Sequence, residues 1–165
     1  MEILSNEKAA TLGLAEISLS VLSGLISPFD GFGDFGEVII REGVVYSSRF
    51  SIVETNASRG KFVSILDYEL FLNSFHVRDH FHYEGILELV KIFTWFSSEL
   101  SRAVFSIKSG AKVYCVLIAN EDPVLYFGLV RDSEWVEEWL AIYESETPAL
   151  IAKTDFAVTA PMQGA

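Results

Sequence analysis

A single cysteine, Cys115, lies in an apolar run. It has no second cysteine for an internal disulfide and no companions for a cysteine-based zinc site, which fits a reducing compartment. Basic residues are also scarce: 12 Lys and Arg stand against 23 Asp and Glu, for a formal net charge of −11. Such a surface repels nucleic acid and anionic membranes, so neither is an expected partner, and a cationic protein is the natural counterpart. Long apolar runs are missing near the start. Residues 17 to 26 come closest but are interrupted by Ser18, Ser20, Ser23 and Gly24, and Lys8 is the only base among Glu2, Glu7 and Glu16. A secretory leader wants a basic start, and a membrane span wants about 20 apolar residues. The expected location is the cytoplasm, with no membrane contact.

Catalytic signatures are absent as well. The chain has no Gly-x-Ser-x-Gly elbow, His-Glu-x-x-His helix, phosphate loop or Cys-x-x-Cys pair. Cys115, between Tyr114 and Val116, has the apolar neighbours of a buried structural thiol rather than an activated nucleophile. No catalytic residue and no cofactor is assigned.

What is present is a core. Of 165 residues 50% are hydrophobic, including 13 Phe and 3 Trp, enough for one domain over residues 1 to 156 with a small, polar tail at 157 to 165. Residues 6 to 26 read as an amphipathic helix capped by Asn6. Leu12, Ala15, Leu19, Leu22 and Ile26 form one apolar row, and Ile17, Val21 and Leu25 form a second beside it. A face that wide is either deeply packed or shared with a second chain. Next comes Gly31-x-Gly33-x-x-Gly36. A helix leads into it and a strand leads out, the reverse of a dinucleotide fingerprint, so it reads as a connector whose Phe29, Phe32 and Phe35 plug the core edge.

Residues 37 to 41 and 44 to 53 suggest a hairpin around Glu42-Gly43, and 61 to 66 suggest a third strand. Asp67 is placed to cap a short helix through Leu70 and Phe71. Residues 84 to 100 form the strongest helix, with Ile86, Leu89, Val90, Phe93, Phe96 and Leu100 along one side. Residues 103 to 108, 112 to 119 and 124 to 130 read as a three-strand meander, and 149 to 152 can extend the sheet.

Two clusters carry chemistry. All three histidines fall between positions 76 and 82. His76, Asp79, His80 and His82 are therefore the candidate metal ligands, although no single regular geometry aligns them. The bland alternative is a polar linker. The second cluster is the predicted helix from Asp132 or Ser133 to Glu144. There Trp135, Trp139 and Tyr143 recur every four residues, and Asp132, Glu134, Glu137 and Glu138 supply the charge. It reads either as a core stripe with a solvated acidic back or as aromatic anchors for a partner inside a ring of carboxylates.

Together these elements predict an α+β domain with an antiparallel sheet of about five to six strands and helices mainly on one face. That order is similar to roadblock-type dimerisation domains and to class I type III secretion chaperones, a resemblance of topology and charge over residues 6 to 145. It implies a dimeric scaffold or a chaperone. The residues themselves favour a non-enzymatic, acidic protein-binding protein, most simply an immunity or inhibitor protein acting on a more basic effector or toxin domain. A homodimer and a metal-dependent protein are the alternatives.

Overall fold

A computed structural model describes residues 1–28, 34–52, 59–62, 64–131 and 147–153. Its strands are β1 (Glu2–Ser5), β2 (Val38–Arg41), β3 (Val44–Ser47), β4 (Ser74–His76), β5 (Val113–Ile118), β6 (Val124–Leu129) and β7 (Ala149–Lys153). Its helices are α1 (Glu7–Thr11), α2 (Leu14–Leu22), α3 (Ile65–Leu72) and α4 (Gly85–Ile107). Five strands make one antiparallel sheet in the order β1-β7-β5-β6-β4, and β2 and β3 form a separate hairpin. The fold is thus α+β with an antiparallel sheet, as expected. α2 and α4 pack on one face of the sheet, while Leu66 and Leu70 of α3 pack against the other.

The centre of the sheet is the hairpin β5–β6, with Ile118 opposite Val124 and Val113 opposite Leu129. Asn120 shapes the turn by accepting a hydrogen bond on its side-chain oxygen from the Asp122 amide at 3.1 Å. The expected first strand of the meander, at 103 to 108, is instead the last turn and a half of α4. Val104 falls in register with Phe93, Phe96 and Leu100 and is buried with them. The β-propensity of Val104, Phe105 and Ile107 is worth little against extending a helix whose nucleus already exists. β7 takes the vacant place beside β5, and the N-terminal β1 pairs with β7.

α4 also buries residues that a binary reading places outside. Thr94, Ser97 and Ser101 are buried because each hydroxyl donates to the carbonyl four residues back, at 2.7, 2.8 and 2.6 Å. Ile86, expected inward, is exposed. The expected third strand at 61 to 66 is a single 3-10 turn (Arg59–Lys61) followed by the start of α3. The cap of α3 is Ser64, not Asp67: the Ser64 hydroxyl oxygen accepts from the Asp67 amide at 3.0 Å and donates to its carboxylate at 2.8 Å. Phe35 does plug the core, its ring centroid 5.1 to 5.6 Å from those of Phe50, Trp95 and Phe96. Phe29 and Phe32 lie outside the described residues.

Candidate interaction surface

The N-terminal helix of the sequence reading is two helices. Asn6 caps α1 as expected, accepting from the Ala9 amide at 2.9 Å. Gly13, at φ 67, then breaks the chain's direction and starts α2. The break rotates the apolar rows. The core-facing stripe of α2 is Leu14, Ser18 and Val21, not the Leu12–Leu19–Leu22 row. Ser18 is tolerated there because its hydroxyl meets Thr94 Oγ1 of α4 at 2.7 Å, so neither polar group is left unpaired at the helix interface.

Leucines of both expected rows, outside that stripe, face out. Leu12, Leu19, Leu22 and Leu25 are 50, 47, 39 and 83% exposed, and the segment from 17 to 28 contains no charged residue. Single exposed leucines are ordinary, but here two lie on α2, one at the C-cap of α1 and one just beyond α2, four within 14 positions. The same helices carry exposed Glu7 and Glu16, with Lys8 the one base on them.

The four expected metal ligands are not brought together. His76 ends β4, and its Nδ1 meets Asp122 Oδ2 at 2.8 Å in an exposed pair. Asp79 and His82 are exposed elsewhere on the 3-10 turn Val77–Asp79 and the segment after it. The His80 ring leans edge-on against Phe50 and Phe75, each 5.1 Å away. Burial, and then the positive charge of Arg49, lower the His80 pKa below the usual histidine value, with Asp79 opposing them. Among the described residues no three His, Cys, Asp or Glu side chains gather as a metal site. The physical reason is local: the chain leaves β4 through a 3-10 turn that turns His76 to Asp122, lays His80 on Phe50 and Phe75 and leaves His82 exposed.

Trp135, Trp139, Asp132, Glu134, Glu137 and Glu138 lie outside the described residues, so the structure does not place the second cluster. It shows instead a polar centre that the sequence reading missed. Glu69 on α3 is wholly buried and accepts from the Val45 amide at 3.1 Å, the Leu129 amide at 3.2 Å and Arg131 Nη1 at 2.6 Å. Asn73, one turn on, donates from Nδ2 to the Val45 carbonyl at 2.8 Å, and its own carbonyl accepts from the Phe127 amide at 3.1 Å. Among the described residues no strand lies between β3 and the end of β6, and Glu69 of α3 and its C-cap residue Asn73 satisfy backbone groups of both in its place. Burial raises the Glu69 pKa, against the lowering effects of Arg131 and the two amides. Burial first, and then the Glu69 charge, hold the Tyr114 phenol well above its ordinary range. The available signal was Glu69 itself, an acid in the apolar run Tyr68-Glu69-Leu70.

Cys115 is buried, and burial pushes its thiol up to about 12, as suits a structural residue. No described helix is long and apolar enough to cross a membrane. No family model, curated protein or solved structure matches the chain.

Proposed function

We propose that this is a non-enzymatic binding protein whose α1–α2 leucine face receives an apolar helix of a cationic protein partner. The observation that carries the reading is the set of exposed leucines Leu12, Leu19, Leu22 and Leu25 on a chain of net charge −11. Magnitudes say that both features are needed. Completing the burial of four roughly half-exposed leucines yields about 1 kcal/mol each, so about 4 kcal/mol in all, which alone corresponds to roughly millimolar affinity. Charge attraction must supply the rest, and it acts first on the rate of encounter. Within this class, an inhibitor of the immunity type that occludes a basic effector domain agrees best with the acidity. The absence of a gathered metal site or a recognisable catalytic set in the described residues adds nothing either way.

The test is a titration of the full chain with two synthetic amphipathic helices, one of leucine and lysine, the other of leucine and glutamate. The lysine peptide is expected to shift amide signals of α1 and α2, to bind more weakly as salt rises, and to lose at least tenfold with Leu19→Ser/Leu22→Ser. The glutamate peptide is expected not to bind. Equal binding of both peptides, or shifts confined to another face, contradicts the reading.

A further inference from the structure

The first strand carries backbone chemistry that the leucine face does not involve. β1 pairs with β7 on one side, Glu2 opposite Lys153 and Ser5 opposite Leu150, and it ends the five-stranded sheet. The Asn6 amide donates to the Ala149 carbonyl at 3.1 Å, and this bond fixes the phase of the ladder. Bonded and non-bonded positions alternate along an antiparallel pair, so Glu2 and Leu4 bond to β7 while the N–H and C=O groups of Ile3 and Ser5 point away from it. Among the described residues none bonds to these four groups.

Sheet edges are usually blunted, and the opposite edge of the same sheet shows how. β4 is three residues long, runs directly into a 3-10 turn and ends on His76, which is paired with Asp122 at 2.8 Å. β1 is not protected in that way. It contains no proline or lysine, and its register against β7 runs through without a bulge. Core flanks it on both faces: Ile3 packs on the cluster shared with α2 and α4, and Leu4 on the one that includes Ile151. A strand added beside it therefore continues the sheet between two existing layers.

We propose that β1 pairs with β1 of a second copy of this chain, antiparallel about a twofold axis at Leu4, and joins two five-stranded sheets into one. The register is self-complementary. Ile3 stands opposite Ser5 of the second copy and Ser5 opposite its Ile3, and each pair exchanges two bonds, so all eight outward groups of the two edges are satisfied. Leu4 meets Leu4 of the second copy in the non-bonded position between them, where cross-strand side chains lie closest. Glu2 faces Asn6 of the second copy rather than another acid. A strand from another protein satisfies one open edge; a copy satisfies two. The net charge of −11 on each chain opposes the pairing, which makes salt a probe of it. The pairing uses no leucine of the α1–α2 face and does not depend on the partner reading above.

The experiment is sedimentation of the full chain over a wide range of concentration at low and high salt, with residue-resolved amide hydrogen exchange at both ends of the range. A reversible dimer that strengthens with salt is expected, with exchange at Ile3 and Ser5 slowed on dimerisation and that at Leu4, already bonded to β7, little changed. Ser5→Pro removes one outward donor at a position that does not bond to β7, and it is expected to weaken the dimer at least tenfold with little change in melting temperature. Ser5→Thr is expected to retain the dimer, and so is Leu19→Ser/Leu22→Ser, which separates this edge from the leucine face. If the proline variant does not fold, the exchange at Ile3 and Ser5 decides. A chain that stays monomeric throughout, a dimer without slowed exchange at Ile3 and Ser5, or a dimer that a folded Ser5→Pro leaves intact overturns the proposal.

Discussion

Glu69 and Arg131, 62 positions apart in the chain, meet at 2.6 Å where the β2–β3 hairpin, α3 and the end of β6 converge. Arg131 reaches through this contact to the Gly43 carbonyl, so one ion pair ties the separate hairpin to the main sheet. Removing the carboxylate strands three donors at once: two buried amides and a guanidinium. Glu69→Ala is therefore expected to cost about 3 kcal/mol, the low end for breaking a buried pair because the partly exposed Arg131 keeps access to water. Urea denaturation measures it. A loss below about 1 kcal/mol would mean that the hairpin is held by other contacts.

Gly128 lies opposite Tyr114 on β5, and a Cβ there would collide with the Glu69 carboxylate and the Tyr114 hydroxyl. Gly128→Ala must displace the ion pair or the strand, at about 3 kcal/mol, the upper end for overpacking. Gly60→Ala is the control: it meets nothing within 4 Å and is expected to change stability by less than about 0.5 kcal/mol. Thermal melts of the two variants side by side decide the matter.

The His80 pKa is lowered in the folded chain, mainly by burial and next by Arg49, with Asp79 acting the other way. Its neutral form is the one the fold prefers. The contribution is present above the ordinary histidine value near 6.5 and is lost as pH falls through the lowered folded value, because the unfolded chain takes the proton first. The stability difference between the native chain and His80→Phe, measured from pH 7 to pH 5, should therefore shift in favour of the variant. A flat difference would contradict the assignment.

Cys115 sits mid-strand on β5 with its thiol pushed up to about 12. It is expected to ignore a thiol reagent at pH 8 in the folded protein and to react at the rate of opening in denaturant. Fast labelling without denaturant would show that the β5 interior is accessible.

The sequence carried the parts that depend on local pattern. The β5–β6 hairpin, the Asn6 cap, the sheet extension over 149 to 152 and the buried thiol were all readable, because alternation, turn residues and caps act over a few positions. It did not carry parts decided by a distant neighbour. Ser18 faces inward only because Thr94 waits across the helix interface, and Val104 stays helical because α4 carries it into the core it shares with Val113 and Phe127 of the sheet. Glu69 is tolerated in the core by Arg131, Val45 and Leu129, none near it in sequence. The leucine face was half legible: the excess of apolar helix surface was plain, but which row faces outward turned on the break at Gly13. The histidine cluster misled because proximity in sequence is not convergence in space.

The most direct measurement is site-specific photocrosslinking in the protein's native cells, with a benzophenone amino acid at position 22 on the leucine face and, as a control, at position 106 on exposed Ser106 of α4. The account predicts one dominant crosslinked protein of net positive charge from position 22, none from position 106, and loss of the product when Leu19→Ser is added. Equal products from both positions, an acidic partner, or a product made only of this chain would contradict it.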